Sequence, residues 1–142
     1  MTELDRALVR RKMAAIARNL EDLQPIADLT LSEYLSDRLR RKAVERLLQE
    51  VVEAAVDVNL HVLRTLNVEL PGDYYTSFIE LGRRSVIPQE LAEQLAPAAG
   101  LRNRLVHEYD AIDDSIVLDA VRLSGKDFRA FITAMDEYLQ QD

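Results

Sequence analysis

The sequence predicts an all-α protein, an antiparallel helical bundle with one long central helix, in a single domain over residues 1–142. Glycine and proline number only four each, so few residues interrupt helices. Runs of β-branched residues bounded by hairpin turns are missing, which argues against strands. Apolar residues recur instead at steps of three and four, the spacing of one helix face.

Two helical stretches are predicted in the first half of the chain. The first begins at Thr2 or a nearby residue and is closed by Pro25. Its apolar stripe consists of Val9, Met13, Ile16, Leu20 and Leu23. The second begins with caps at residues 30–32 and contains the central helix. Its stripe consists of Val44, Leu48, Val51, Ala55, Val58, Val62 and Leu66. Apolar residues on more than one face of this helix suggest a dimer surface.

Shorter helices are predicted in the second half, after a loop at residues 70–73 that contains proline and glycine. The next helix, which carries the polar motif described below, has Pro97 in its first turn. The remaining predicted helices span residues 75–83, 88–95, 114–123 and 126–139.

Composition restricts the possible functions. Cysteine is absent, so disulfides, iron–sulfur clusters and thiolate metal sites are excluded. No apolar run approaches the roughly 20 residues of a membrane span, and acids precede the first apolar run. We therefore expect a cytoplasmic protein that is neither secreted nor inserted into a membrane.

The formal net charge of −7 argues against a protein that coats nucleic acid through bulk electrostatics. Two local basic clusters remain candidates for phosphate contact, residues 10–12 and the denser group of Arg38, Arg40, Arg41, Lys42 and Arg46. The alternative is that both are solvated helix faces balanced by neighbouring acids.

A dense polar group surrounds one of the two histidines, His107, near a predicted helix end. Four-residue spacing puts Asn103 and His107 on one helix face, about 40° apart, whereas Arg102 lies about 140° from His107. Tyr109 would lie about 20° from Arg102 if the helix continued that far. Arg104 either faces solvent, contacts RNA or pairs with Glu108. Arg102 and His107 could be brought together by the long reach of the Arg side chain, by an irregular helix end or by a second copy of the motif across a two-fold axis, and the last is the most economical.

These residue types suit RNA cleavage without a metal ion, because RNA carries its own nucleophile, the 2′-hydroxyl. A histidine can take the proton from that hydroxyl or give one to the leaving 5′-oxygen. A guanidinium can hold the scissile phosphate and stabilise the charge of the transition state. Asn103 could orient His107 or donate to a phosphate oxygen. No cofactor or metal site is predicted, since two histidines without cysteine do not build a zinc site. A carboxylate magnesium site is open in principle, but the acids are scattered and no DxD-like or ExxH pair lies in a predicted loop.

Residues 100–113, GLRNRLVHEYDAID, closely resemble the motif region of HepT-type HEPN proteins. The shared pattern is Arg-x4-His-x-Tyr, with Asn or another polar residue directly after the Arg. Residues 46–61, with the centre EAAVD, resemble the central helix of that family, and residues 75–95 resemble its approach to the motif. The resemblance covers most of the chain and implies a HEPN-like fold.

The resemblance further implies a metal-independent endoribonuclease toxin that cleaves tRNA or mRNA, with Arg102 and His107 as catalytic residues and Asn103 as their polar companion. It implies homodimers whose two motifs face a shared cleft. It also implies a partner, an MNT-type nucleotidyltransferase antitoxin that attaches AMP to Tyr109. AMP would add bulk and negative charge where an RNA phosphate must lie. Whether the toxin and the antitoxin form hetero-oligomers larger than a dimer is left open by the sequence.

Two other interpretations stay open on the sequence alone. The chain could be a non-catalytic helical adaptor or substrate-binding partner of a nucleotidyltransferase, although the complete motif argues against that. It could also be an interaction module in which the Arg and His of the motif only cap a helix end.

Overall fold

The computed structural model describes residues 2–141, and within that range it contains seven helices and no strand. The all-α prediction is therefore confirmed. In chain order the helices are α1 (Arg6–Ala27), α2 (Leu31–Leu35), α3 (Arg38–Thr65), α4 (Tyr74–Arg83), α5 (Gln89–Leu95), α6 (Ala98–His107) and α7 (Asp114–Leu139). No helix in this range is long and apolar enough to cross a membrane.

The three long helices, α1, α3 and α7, form the body of the bundle, with α1 against both of the others. Lys12 pairs with Asp57 at 2.7 Å, and the side chain of Asn19 donates to Glu50 at 3.1 Å, so α1 and α3 run antiparallel. The short helices α4 and α5 pack on each other, and α6 lies against α3 and α4. The central position of α3 agrees with the sequence prediction.

The core has two parts, and the second part positions the motif. In the first, Phe78, Phe128 and Phe131 meet edge to face with ring centroids 6.3–6.4 Å apart. The second part contains Leu101 and Leu105 of α6, packed with residues of α1, α2, α3 and α7. Burial of these two leucines fixes which face of α6 turns to solvent.

Two predicted helix boundaries in the first half were wrong. Pro25 does not close α1, which continues to Ala27. A proline removes its own N–H bond but leaves those of the following residues, and burial of Ile26 favours one more turn. The predicted second stretch is in fact two helices. Thr30 and Glu33 form a capping box at the start of α2, and Asp37 caps the start of α3.

The prediction of two helices over residues 114–123 and 126–139 was also wrong, since α7 runs without a break. Buried side chains continue through the join on one face, from Val121 through Ser124 to Phe128. This packing outweighs the low helix propensity of Gly125. By contrast, the loop at 70–73 and the two short helices after it agree with the sequence, while Pro97 is the residue before α6 and not its first turn.

The apolar residues on several faces of α3 are buried within the chain itself. α1, α4 and α6 all pack on this helix. Its buried apolar residues include Val51, Val52, Ala55, Val56, Val58, Val62 and Leu63. The pattern that suggested a dimer surface therefore has an intramolecular explanation, and it gives no evidence for a dimer.

Candidate active site

Helix α6 presents its polar face to solvent because its apolar face is anchored. Leu101 and Leu105 lie one turn apart and are both buried. Asn103 is about 200° round the helix from each of them, which is the opposite face, and it is exposed. His107 is also exposed and is the last residue of α6. Asn103 and His107 are one turn apart on this outer face.

Arg102 is the most enclosed residue of the motif, with its side chain 17% exposed. Its Nε and Nη2 atoms both donate to one carboxylate oxygen of Glu53 on α3, at 3.1 and 2.7 Å. Its Cζ atom lies 4.8 Å from the ring centroid of Tyr74, the first residue of α4. Its Nη1 atom donates to the side-chain oxygen of Asn103 at 3.3 Å. Arg102 is thus held by α3 and α4 and points away from the outer face of α6.

Tyr109 does not continue the helix. Glu108 caps α6 with its backbone N–H donating to the carbonyl of Arg104 at 2.9 Å, and its φ of −129° leaves the helical range. The chain then turns, and Ala111 donates to the carbonyl of Glu108 at 2.9 Å. Tyr109 lies in this turn and is 68% exposed. The helical angle between Arg102 and Tyr109 considered above therefore does not apply.

The motif loop, residues 108–113, ends in a capped helix start. The Asp113 carboxylate accepts hydrogen bonds from both the hydroxyl and the backbone N–H of Ser115, at 2.6 and 3.0 Å. These bonds, the hydroxyl's first, hold the pKa of Asp113 below its ordinary value of 3.8. The cap fixes the point at which the loop joins α7.

Within residues 2–141, no hydrogen bond joins Arg102 to His107, and none joins Asn103 to His107. Asn103 instead accepts a bond from Arg102. One copy of the chain therefore groups Arg102 with Asn103 and leaves His107 on the outer face of α6. The angular separation inferred from the sequence persists in the fold.

The basic cluster at the start of α3 is largely engaged within the chain. Arg41 pairs with Asp114 at 3.0 Å, and Lys42 and Arg46 pair with acids one turn away on α3. Arg40 donates to a backbone carbonyl of α2, and Arg38 is exposed. Because Asp114 is the first residue of α7, the Arg41 pair brings this cluster to the same end of the bundle as the motif loop.

Arg104 is exposed and forms no ion pair with Glu108 within the described part of the chain. Its side chain lines an apolar groove between α6 and α7, beside Leu101, Ile116 and Leu123. The predicted ion pair of Arg104 with Glu108 is absent, the exposed side chain agrees with a solvent-facing position, and contact with RNA stays a prediction.

Sequence reasoning missed Glu53 and Tyr74 as neighbours of the motif. The signal for Glu53 was its position on α3 between the buried pairs Val51, Val52 and Ala55, Val56, where a carboxylate needs a partner. Tyr74 carried no signal beyond its type. The other histidine, His61, is buried and its Nε2 accepts the backbone N–H of Asp5 at 2.9 Å, which is a structural role.

The fold of this chain is similar to that of a solved toxin structure. It is a tri-AMPylated HEPN toxin of Shewanella oneidensis in complex with MNT antitoxin. The TM-score is 0.83 at 28% identity, over 94% of this chain and 99% of that one. The fold and the motif at the end of α6 thus define a HEPN-type helical protein.

Sequence comparisons specify the family. The family model described as Ribonuclease HepT-like matches residues 16–135. A tRNA nuclease HepT of Aphanizomenon flos-aquae is 36% identical over 139 residues, which are 98% of this chain and 95% of that protein. An mRNA nuclease HepT of Shewanella oneidensis is 30% identical over 125 residues, 88% of this chain and 93% of that protein. The chain belongs to the HepT-like ribonuclease family.

Proposed function

We propose that this chain is the toxin of a HEPN–MNT toxin–antitoxin pair and acts in the cytoplasm as a metal-independent endoribonuclease. The observation that carries the proposal is the complete motif of Arg102, Asn103, His107 and Tyr109 at the end of α6, in a chain of this family. The relatives named as tRNA and mRNA nucleases support RNA as the substrate.

Arg102 is suited to hold the scissile phosphate. A guanidinium has five N–H donors, one on Nε and two on each terminal nitrogen. Bonds to Glu53 use Nε and one donor of Nη2, and the bond to Asn103 uses one donor of Nη1. One donor on each terminal nitrogen is left without a partner among the described residues. Two such donors match two phosphate oxygens.

The proposed reaction is an internal transfer of the phosphoryl group. The 2′-oxygen forms a bond to phosphorus as its proton passes to a neutral imidazole, and the bond from phosphorus to the 5′-oxygen breaks as that oxygen receives a proton from an imidazolium. The products are a 2′,3′-cyclic phosphate and a free 5′-hydroxyl. Arg102 stabilises the added negative charge of the transition state, and His107 moves the protons.

We propose that a homodimer supplies the complete site. Within one copy, Arg102 is drawn toward α3 and His107 lies on the outer face of α6. A two-fold arrangement with both motifs at a shared cleft brings Arg102 of each copy near His107 of the other and places two imidazoles at one phosphate. One imidazole then acts as base and the other as acid.

Five arginines at the same end of the bundle as the motif loop are the proposed contacts with the RNA backbone, and Arg40 and Arg41 among them are only partly exposed. The five are Arg38, Arg40, Arg41, Arg46 and Arg104. Replacing Arg40 and Arg41 with Ala should weaken RNA binding. It should also make the slope of log affinity against log salt shallower, because fewer phosphate contacts mean that fewer counterions are released on binding. An unchanged affinity and slope would remove this surface from the proposal.

Tyr109 is the proposed acceptor of AMP from the antitoxin. Its side chain is exposed in the motif loop, where a partner enzyme can reach it. The phenol oxygen forms a bond to the α-phosphorus of ATP, pyrophosphate leaves, and the phenol proton is lost. The attached AMP adds negative charge in the loop that directly follows His107, and this charge repels RNA phosphates.

The test of the nuclease uses the purified chain, expressed without its partner, incubated with total RNA in EDTA. We expect cleavage that leaves 2′,3′-cyclic phosphate ends, and loss of cleavage in Arg102→Ala and in His107→Ala. His61→Ala is the matched control, because it removes the other histidine at a site bound to Asp5. Each variant is first shown to be folded by circular dichroism.

A chain with unmodified Tyr109 that cuts no RNA in EDTA would contradict the proposal and favour the adaptor interpretation. Cleavage that returns only when a divalent ion is added would contradict metal independence alone. Equal loss of cleavage in His61→Ala would mean that general stability, and not the motif, governs the activity.

To test the modification, the chain is incubated with an MNT-type nucleotidyltransferase and ATP, and its intact mass is then measured by mass spectrometry. We expect one or more AMP additions on the parent, none on Tyr109→Phe, and unchanged addition on Tyr75→Phe. Tyr75 is the matched control because it is another exposed tyrosine, at 51%. Addition to Tyr109→Phe at the parental level would refute Tyr109 as the acceptor.

A further inference from the structure

The contact between Glu53 and Arg102 joins two distant parts of the chain at the motif. Both Nε and Nη2 of Arg102 bind the same carboxylate oxygen, at 3.1 and 2.7 Å, across 49 residues of sequence. The side chains are 17% exposed for Arg102 and 30% for Glu53. A two-donor bond at this depth fixes the plane of the guanidinium as well as its position.

Three further contacts complete the cradle of the guanidinium. The face of the Tyr74 ring lies against it, with Cζ 4.8 Å from the ring centroid. The other carboxylate oxygen of Glu53 accepts a bond from Gln49 at 3.3 Å, one turn back on α3. Asn103 accepts the bond from Nη1. Helices α3, α4 and α6 therefore each contribute to holding a single side chain.

We propose that Glu53 is the positioning residue for Arg102, with the Tyr74 ring as the second support of the guanidinium. The inference rests on the proposed function, in which Arg102 binds the scissile phosphate. Glu53 binds the edge of the guanidinium formed by Nε and Nη2. One donor on each of Nη1 and Nη2 is then available to the phosphate. Glu53 does not touch the substrate, and its effect passes through Arg102.

A positioning role is distinguishable from a purely electrostatic one. Removing the carboxylate makes the surroundings of Arg102 more positive, so attraction of RNA is retained or strengthened. The orientation needed in the transition state is lost at the same time, and this lowers kcat. The expected signature of Glu53 is therefore a fall in kcat with KM unchanged or lowered.

The experiment measures kcat and KM of the parent, Glu53→Gln and Glu53→Leu on a short RNA cut by the parent. Loss of orientation should lower kcat by roughly 10- to 100-fold in Glu53→Leu. The fall should be smaller in Glu53→Gln, because its amide oxygen still accepts a bond from Arg102. In an Arg102→Lys background, Glu53→Gln should cause no further loss, since the two residues act as one unit.

Asp57→Asn is the matched control. Asp57 lies one turn beyond Glu53 on α3 and also forms an ion pair of 2.7 Å between helices, with Lys12 of α1. Losing that pair removes the same charge from the same helix without contact to the motif. We expect kcat of Asp57→Asn to equal that of the parent.

An independent readout does not need activity. The Nε–H resonance of Arg102 in ¹⁵N NMR should be shifted and protected from exchange in the parent, and both properties should be lost in Glu53→Leu. An Arg102 resonance that is unchanged in Glu53→Leu would refute the positioning contact.

Three kinetic outcomes overturn separate statements. A parent that does not cleave RNA refutes the proposed function, whatever Glu53 does. A parent that cleaves while Glu53→Leu keeps the parental kcat refutes positioning by Glu53 and leaves the nuclease proposal intact. Loss of one limb of the pH–rate profile in Glu53→Gln would make Glu53 a proton carrier and refute a role through Arg102.

Discussion

The two glycines within α4 and α7 should respond in opposite ways to the same substitution. Both Gly82 and Gly125 lie inside helices without a positive φ, so alanine fits the backbone at either position. Their surroundings differ. A Cβ atom at Gly125 would meet only the end of the Arg129 side chain, at 3.1 Å, whereas at Gly82 it would lie 2.7 Å from the Cβ of Ala92 and 3.2 Å from the Cα of Gln89.

The free energies follow from these distances. Alanine is more favourable than glycine inside a helix by about 0.8–1.0 kcal/mol. At Gly125 the Arg129 guanidinium, which donates to the Gly125 carbonyl and to the Gln24 side chain, must shift, and weakening these bonds reduces the gain to a stabilisation of about 0.5 kcal/mol. At Gly82 the contact is with the packed helix α5, and overpacking costs about 1–3 kcal/mol. Gly82→Ala should therefore be destabilising by about 1 kcal/mol.

The assay is urea unfolding followed by far-UV circular dichroism, with a thermal scan in the same buffer. We expect Tm to rise by about 2 °C for Gly125→Ala and to fall by about 4 °C for Gly82→Ala. A lower stability of Gly125→Ala would mean that α7 is interrupted near residue 125, as the sequence had suggested. An unchanged stability of Gly82→Ala would refute the close approach of α4 and α5.

Three further predictions concern the helix ends. Pro25→Ala should stabilise the chain by about 1 kcal/mol in urea unfolding, because restoring an N–H in the last turn of α1 outweighs the greater freedom of the unfolded chain; a loss of stability would contradict the helix end at Ala27. His61→Ala should be destabilising by about 1–3 kcal/mol, because it leaves the Asp5 N–H without its acceptor; equal stability would exclude that bond. Because the folded pKa of Asp113 lies below its unfolded value, its stabilisation is present above pH 3.8 and is lost as the pH falls through the folded pKa. Urea unfolding of Asp113→Asn at neutral pH and below pH 3.8 should show a smaller acid loss than the parent, and an equal loss would refute the contribution of this carboxylate.

The helices could be predicted from the sequence because their apolar stripes are local. The stripe of α1, from Val9 to Leu23, is buried as expected. The boundaries could not be predicted as well, because they depend on contacts made elsewhere. Asp37 begins α3 because its side chain accepts the backbone N–H of Arg40, and in the sequence this cap resembles any other exposed acid. Gly125 stays helical because α7 buries residues on both sides of it.

The motif of the candidate site could be predicted because it lies within eight consecutive residues, 102–109. Its surroundings could not, because Glu53 and Tyr74 reach it from other helices. The helical angle between Arg102 and His107 was a sound prediction, since α6 is regular as far as His107. The position of Tyr109 could not be predicted in this way. α6 ends at His107, and the backbone of Glu108 already lies outside the helical range.

The contact of Arg102 with Glu53 bears directly on the need for a second copy of the motif. An isolated arginine of this length could swing round α6 toward His107, and a monomer could then assemble the catalytic pair. A guanidinium that binds Glu53 through two donors and lies against Tyr74 is not free to do so without losing these contacts. The backbone of His107 belongs to the last turn of α6, and its exposed side chain lies on the outer face of that helix. The contacts that hold Arg102 therefore keep it apart from the His107 of its own copy, and this separation supports the proposal that a second copy of the motif completes the site.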